Sequence, residues 1–269
     1  MILIEEIGQY WEVNSDNCII NNHKDLELLP IAENIKNLFL QEVFIHIPYI
    51  HSVYLSGSYL TGKVYESSDI NFLVVVDNKV NVDNLENETD LLKQSIEDLI
   101  QKKLNSRIIV NINIQTLDFS KFDLLISRFM TKCVWGEDIS LENINFDLIG
   151  ERILDGLEKE DQKYLKNTRN ELIFVVENFK QDEIFFVQEK IKNHLKLILR
   201  CSFNSICKKI KIWTRDLYYC NYFFSKENPD LSHCSTQCLD LYLNIDKEKK
   251  DILNVLYDAN KLIDYVCSC

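Results

Sequence analysis

The first half of the chain alternates between helical and extended hydrophobic patterns. Apolar residues recur near helical spacing over residues 29–45, which predicts a helix there. Residues 51–56 form a short β-branched and aromatic segment that leads into a Gly-Ser pair, so they predict a strand that ends in a tight turn. Residues 70–76 are almost continuously apolar, which is typical of a buried strand.

A second helix and a third strand follow along the chain. Leu92, Ile96 and Leu99 lie on one face of a helix that the pattern predicts over residues 91–104. Residues 107–115 then alternate between apolar and polar side chains, which predicts a third strand. The order helix, strand, strand, helix, strand predicts an α+β fold in which helices pack on a small mixed sheet.

The second half of the chain has the pattern of a helical domain. Strand patterns stop after Phe119. Further on, apolar residues recur at steps of three or four, as they do along one face of a helix in a bundle. These residues are Ile184, Val187, Ile191, Leu195 and Ile198. We therefore predict two domains, residues 1–140 with the mixed sheet and residues 141–269 as an α-helical bundle.

Composition and charge narrow the class of partner. With 269 residues and 46% hydrophobic content, the chain is long and apolar enough for a full core. The net charge of -12 disfavours broad nucleic-acid binding, which depends on Lys and Arg to neutralise phosphates. The start lacks the pattern of a secretion signal, and no stretch reaches the roughly 18 apolar residues of a membrane span. We expect a cytoplasmic protein with no membrane span and with a small-molecule or protein substrate.

Nine cysteines raise the question of a metal site. His233, Cys234 and Cys238 lie close together in sequence, and Cys267 and Cys269 would complete a zinc site. Their spacings are irregular, whereas zinc ligands usually come in regularly spaced pairs. The alternative is that these cysteines are reduced thiols, buried or in loops, as is usual in a chain without a secretion signal.

The candidate chemistry lies between residues 52 and 76. The first predicted strand ends at Gly57 and Ser58, and ten residues separate this pair from Asp69, which opens the second strand. A glycine lets the backbone approach a phosphate closely, and the Ser58 hydroxyl and nearby N–H groups are suited to phosphate oxygens. Residues two apart on a strand point to the same face, so we expect Asp69 and Asn71 to project side by side next to the turn.

This arrangement resembles the signature of the nucleotidyltransferase superfamily, which includes DNA polymerase beta and the aminoglycoside nucleotidyltransferases. The resemblance covers roughly residues 25–140, including a segment at 132–138 that is similar to one following the catalytic sheet in related bacterial proteins. The residues that match are Tyr54, Leu55, Gly57, Ser58, Gly62, Ser68, Asp69, Ile70 and Phe72. The resemblance implies a nucleotidyltransferase-type mixed sheet and a nucleoside triphosphate as substrate.

The resemblance also implies a set of acids that this chain only partly retains. In active members, acids at the positions of Asp69 and Asn71 hold two Mg²⁺ ions, and a third acid on the next strand activates the acceptor hydroxyl. Asn111 and Asn113 are the third-strand candidates here, with a role in lining a polar groove as the alternative. An amide oxygen ligates Mg²⁺ but carries no charge and accepts no proton.

The expected metal ligands are therefore Asp69 and, more weakly, Asn71. We expect reduced or absent activity unless another acid, such as Asp118 or Glu66, takes the missing role.

A basic stretch stands out against the acidic background. Residues 190–215 carry eight Lys and Arg residues and no acid. In two-domain nucleotidyltransferases a cation of the helical domain commonly meets the triphosphate, which makes Lys196 and Arg200 candidates, and Lys63 after the Gly-Ser turn would add charge. The alternatives are a solvated basic helix face and an RNA-contacting surface.

Two functional hypotheses follow from these observations. The first is a protein that binds a nucleoside triphosphate with Mg²⁺ in an interdomain cleft and transfers a nucleotidyl group to a hydroxyl of a small molecule or protein. The second is a catalytically inactive relative that uses the same cleft to bind a nucleotide or a partner protein and acts as a regulatory module. An RNA-binding helical protein would be a third, and it depends on the basic stretch alone.

Overall fold

The chain folds into two compact units. A computed structural model describes residues 10–21, 26–61, 64, 68–118, 131–147, 159–178, 184–245 and 248–268. The units are Ile20–Ile144, and Met1–Ile19 together with Asn145–Cys269, and each is described by itself. The division into domains at residues 140 and 141 stays a prediction.

The first unit is built around a four-stranded sheet. Two short strands precede this sheet in the chain. They are β1 (Trp11–Glu12), which belongs to the second unit, and β2 (Cys18–Ile20). Its further elements are α1 (Pro30–His46), β3 (Ile50–Ser56), α2 (Ser58–Thr61), β4 (Ile70–Val76), α3 (Glu86–Leu104), β5 (Val110–Thr116), β6 (Thr131–Gly136) and β7 (Asn143–Asn145). The strand order is β5-β4-β3-β6, and β2 pairs with β7 in a separate two-stranded sheet.

The sheet is mixed, as the order of predicted elements indicated. Strand β3 runs antiparallel to both β4 and β6, whereas β4 and β5 are parallel. Residues of α1 and α3 form one hydrophobic core with the covered face of the sheet. Phe39 of α1 stacks on Phe72 of β4 with ring centroids 3.9 Å apart, so the helix is held directly over the central strands.

The opposite face of the sheet carries a smaller core and the polar residues of interest. Tyr54, Leu73 and Val75 are buried on this face. The Tyr54 hydroxyl accepts a hydrogen bond of 2.7 Å from the backbone N–H of Ile139, which fastens the segment after β6 to the sheet. Because side chains alternate along a strand, Asn71 lies on the same face as Leu73.

The prediction that strands end after Phe119 was wrong. Strands β6 and β7 follow it, and β6 is an edge strand of the main sheet. At its end, Gly136 has φ 86°, and a Cβ atom there would lie 2.3 Å from the carbonyl oxygen of His51. Only glycine lets β6 approach β3 this closely.

The second unit is largely helical. In chain order it continues with α4 (Lys159–Asn178), α5 (Ile184–Ile210), β8 (Ile212–Trp213), α6 (Leu217–Glu227), α7 (Ser232–Leu243) and α8 (Lys249–Val266). The predicted apolar face of α5 is confirmed, because Val187, Ile191, Leu195 and Ile198 are all buried. The side chain of Ile184 lies outside the described residues. Strand β1 pairs antiparallel with β8, a connection that the sequence pattern did not predict.

The cysteines of the second unit bear on the question of a metal site. Cys234 and Cys238 are buried on α7, and burial raises the pKa of the Cys238 thiol. Across the part of the chain that the structure describes, no three His, Cys, Asp or Glu residues are arranged to hold a metal ion; Cys269 lies outside it. The described residues around His233 therefore do not form the zinc site that was weighed against reduced thiols. Nor does any described helix have the length and apolar character needed to cross a membrane.

Candidate active site

The site begins at the turn between β3 and α2. Gly57 has φ 80°, in the left-handed region that favours glycine, and its carbonyl oxygen accepts a 3.0 Å hydrogen bond from the N–H of Leu60. A Cβ atom on Gly57 would lie 3.0 Å from Nδ2 of Asn71. Gly57 is thus required both by its backbone conformation and by the close approach of the neighbouring strand.

The strand register brings the predicted polar residues beside this turn. Ser56 is the antiparallel partner of Asn71, and Asn71 is the parallel partner of Asn111. Asp69 precedes β4 and lies two residues before Asn71, on the same face of the sheet. Asn71 therefore lies between the Gly57 turn on one side and Asn111 on the other.

Three of the predicted side chains are joined by hydrogen bonds. Nδ2 of Asn111 donates to Oδ2 of Asp69 and, at 3.1 Å, to Oδ1 of Asn71. Nδ2 of Asn71 lies 3.5 Å from the backbone oxygen of Asp69. An ionised carboxylate only accepts hydrogen bonds, so the Asn111 amide must present its N–H groups to it. We refer to Asp69, Asn71 and Asn111 as the carboxylate–amide triad.

Tyr59 is a neighbour of the triad that sequence reasoning missed. Its side chain is buried, and both burial and the charge of Asp69 raise the pKa of its hydroxyl. The residue directly follows the Gly-Ser pair on the short helix α2. Its position next to that pair was the only signal in the sequence, because an aromatic residue at the start of a helix is otherwise read as core.

Asp118 lies two residues beyond the end of β5, whereas Asn111 is the second residue of that strand. A replacement role for Asp118 at the triad stays a prediction. Asn113 lies one pair further along β5, opposite Leu73, with its side chain exposed.

Other predicted site residues lie outside the described residues or in the second unit. Lys63 and Glu66 belong to the part of the chain that is not described. Lys196 and Arg200 lie one helical turn apart on α5, and Nε of Arg200 donates to the carbonyl oxygen of Arg215 at 3.3 Å. Their contribution to nucleotide binding stays a prediction.

The donor set of the triad does not fit two divalent cations. It offers one carboxylate and two neutral amides, against the four positive charges of two Mg²⁺ ions. The Asn111 amide also directs N–H donors, not an oxygen, towards Asp69. Asp69 with a nucleotide's own phosphates would be a reasonable ligand set for a single Mg²⁺, which is commonly bound through one or two carboxylates and substrate phosphates.

Comparisons with known proteins concern the family and the fold. Residues 33–127 match the family model described as polymerase beta, nucleotidyltransferase. No curated protein matches the chain. Among solved structures, the chain is similar to spectinomycin adenyltransferase AAD(9) from Enterococcus faecialis, solved with ATP and spectinomycin, with a TM-score of 0.50 and 17% identity. That likeness covers 87% of this chain and 99% of the other, and at this identity it concerns the fold alone.

Two toxin–antitoxin structures are similar over about half of the chain. One is a mutant of MntA-HpeT, with a TM-score of 0.27, 17% identity and coverage of 49% of this chain and 96% of the other. The second is the tri-AMPylated HEPN toxin of Shewanella oneidensis with the MNT antitoxin, with a TM-score of 0.27, 18% identity and coverage of 51% and 97%. Likenesses this weak support no conclusion about this chain.

The family match therefore covers three of the four strands of the mixed sheet, the Gly57 turn and the strand opened by Asp69. The fold that the resemblance implied, with flanking helices and a further helical region, is confirmed. On this evidence residues 33–127 form a nucleotidyltransferase domain of the polymerase beta type.

Proposed function

We propose that the chain binds a nucleoside triphosphate at the Gly57–Ser58 turn and acts as a regulatory nucleotide-binding module with little or no nucleotidyl transfer of its own. The observation that carries this proposal is the hydrogen bond from the Asn111 amide to the Asp69 carboxylate. In this hydrogen bond, the one acid that would otherwise hold the catalytic metal accepts an N–H group instead.

Phosphate binding is supported by the turn itself. Gly57 is exposed and has no side chain to block a phosphate, and Ser58 is only partly buried beside it. Helix α2 has four described residues, so its dipole adds little, and the turn backbone and the Ser58 hydroxyl are the relevant donors. Spectinomycin adenyltransferase AAD(9), which shares the fold, was solved with ATP, and ATP is therefore the first nucleotide to test.

Loss of transfer is supported by the chemistry of the amides. Neither Asn71 nor Asn111 accepts a proton, so neither serves as the general base that activates an acceptor hydroxyl. A positioned general base typically contributes roughly 10²–10⁴-fold to rate. We therefore expect turnover at least about 100-fold below that of a variant with acids at both positions.

The second candidate is an active nucleotidyltransferase. Gly57, Ser58 and Asp69 are all retained, and the fold is that of an adenyltransferase. In this alternative Asp69 and the nucleotide's phosphates hold one Mg²⁺, which would stabilise charge on the transferring phosphoryl group. The acceptor would be a hydroxyl of a small molecule, with spectinomycin as the first to test, or of a protein.

Calorimetric titration of ATP, GTP, CTP and UTP with Mg²⁺, combined with an assay for pyrophosphate release, separates the two candidates. We expect wild-type protein to bind a nucleotide without releasing pyrophosphate, Ser58→Ala to bind more weakly, and Asp69→Ala to retain binding. If Asp69→Ala loses binding and the wild type releases pyrophosphate, the second candidate is correct. If no nucleotide binds the wild type, both candidates fail.

A further inference from the structure

Asp69 has an unusual surrounding for the metal ligand of a nucleotidyltransferase. Its Oδ2 atom accepts a hydrogen bond from Nδ2 of Asn111, on the neighbouring parallel strand. The second hydrogen of that amide nitrogen is suited to Oδ1 of Asn71, 3.1 Å away. The single amide group of Asn111 therefore donates a hydrogen bond to each of its two neighbours, Asp69 and Asn71.

We infer that the Asn111 side chain takes the place of a divalent cation in this site, so that the carboxylate–amide triad is complete without metal. The inference deepens the proposed function in one respect, since it makes nucleotide binding independent of Mg²⁺, and only that consequence rests on the proposed function. The hydrogen bonds themselves require no nucleotide.

Residue 111 determines whether the triad is complete without metal, because its side chain donates the hydrogen bonds that Asp69 and Asn71 accept. An aspartate there would bring a second carboxylate against Asp69, where only a bound cation or a proton relieves the repulsion. An aspartate at position 71 would still accept a hydrogen bond from Asn111. The two amides are therefore not equivalent: Asn111 supplies the donors, and Asn71 supplies an acceptor.

The position of Asn113 provides a matched control. It lies on the same strand and the same face as Asn111, one pair further along, and its side chain is exposed. Asn113→Asp adds the same negative charge to this edge of the sheet, but opposite Leu73, and not against Asp69. Any effect specific to contact with Asp69 should be absent from this variant.

The test uses the full chain without nucleotide. Mn²⁺ binding is counted by electron paramagnetic resonance, and thermal unfolding is followed with EDTA and with millimolar Mg²⁺. We expect wild type and Asn113→Asp to bind no Mn²⁺ at the triad and to unfold at a temperature that Mg²⁺ does not change. Asn111→Asp should unfold about 2–4 °C lower in EDTA, with Mg²⁺ restoring the loss, and should bind Mn²⁺ in an Asp69-dependent manner.

Two results would overturn the inference. The first is Mn²⁺ binding by the wild type that Asp69→Ala abolishes, since the carboxylate would then hold a cation in spite of Asn111. The second is an unfolding temperature of Asn111→Asp that equals that of the wild type in EDTA and that Mg²⁺ does not change. If Asn111→Asp does not fold, the comparison of Mn²⁺ binding between wild type and Asp69→Ala decides alone. None of these outcomes depends on whether a nucleotide binds.

Discussion

At the scale of single residues, the site depends on the hydrogen bonds that join Asp69, Asn71 and Asn111. The spacing of Asp69 and Asn71 on one strand and the alternation around Asn111 were sufficient to bring all three to one face. The direction of the hydrogen bonds from Asn111 was not predictable, because it depends on a strand register that forms between residues about 40 positions apart. The proximity of Tyr59 to Asp69 was missed because an aromatic residue at the start of a helix is otherwise read as core.

Gly57→Ala tests the turn at this scale. The substitution forces a side chain onto a backbone at φ 80° and within 3.0 Å of the Asn71 amide. We expect it to lower the free energy of unfolding by about 1–2 kcal/mol and to weaken ATP binding. Ser58→Ala is the control, because it removes a hydroxyl without changing the backbone and should affect binding much more than stability. Wild-type affinity in Gly57→Ala, measured by calorimetry, would contradict the assigned role of the turn.

His194 gives a pH-dependent prediction in the helical unit. It is buried on α5, neither ring nitrogen has a hydrogen-bond partner, and burial, with a smaller effect of Arg169, lowers its pKa to about 4. The folded protein therefore binds fewer protons than the unfolded chain between about pH 4 and 6.5, and stability falls as the pH falls through this window. The loss due to His194 at pH 4 should be about 3 kcal/mol relative to pH 7.

Urea unfolding at several pH values measures this effect. His194→Leu should lose the corresponding part of the acid sensitivity. Identical pH dependence in His194→Leu and wild type would show that His194 is not the source.

At the scale of elements, strong local patterns predicted the structure well and weak ones did not. Helix α1 and strands β3 and β4 lie within one residue of their predicted limits, because continuous apolar patterns define them. Helix α3 begins at Glu86 and not at residue 91, since its first turn is polar and acidic, which suits a helix N-terminus but gives no apolar signal. Strand β5 begins at residue 110, after Asn105 in a left-handed conformation has ended the helix.

Strand β6 is the element that sequence reasoning missed in the main sheet. It has six residues, its side chains are only partly buried over most of its length, and a lysine interrupts its pattern. Edge strands of this kind need little hydrophobic pattern, because one side of the strand is not paired in the sheet. The glycine at its end was the available signal, because a side chain at position 136 would meet the backbone of β3.

Gly136→Ala tests the docking of β6. An added Cβ atom would lie 2.3 Å from the backbone oxygen of His51 and 2.8 Å from Cα of Ser52, and neither atom belongs to a flexible side chain. Together with the strain of φ 86°, we expect a loss of about 2–4 kcal/mol in the free energy of unfolding, more than for Gly57→Ala. Urea denaturation of the two variants side by side measures this order, and the reverse order would contradict the close approach of the strands.

At the scale of the whole molecule, the order of predicted elements was sufficient to indicate the fold class. It did not indicate with which strand the N-terminal strand β1 pairs. Strand β1 has two residues and pairs with β8 some 200 positions later, so no local pattern announces it. The basic stretch at residues 190–215 lies in the helical unit of a chain with a net charge of -12. The contribution of Lys196 and Arg200 to triphosphate binding stays a prediction. Charge reversal of each residue would test it in the same nucleotide titrations.

The central proposal is that the Asn111 amide takes the place of a metal ion beside Asp69, so that the chain binds a nucleotide without Mg²⁺. The most direct test is calorimetric titration of the tightest-binding nucleotide into wild type and into the double variant Asn71→Asp, Asn111→Asp, each in EDTA and in Mg²⁺. We predict that the wild type binds equally well in both conditions and that the double variant binds only with Mg²⁺. Binding by the wild type that disappears in EDTA would contradict the claim.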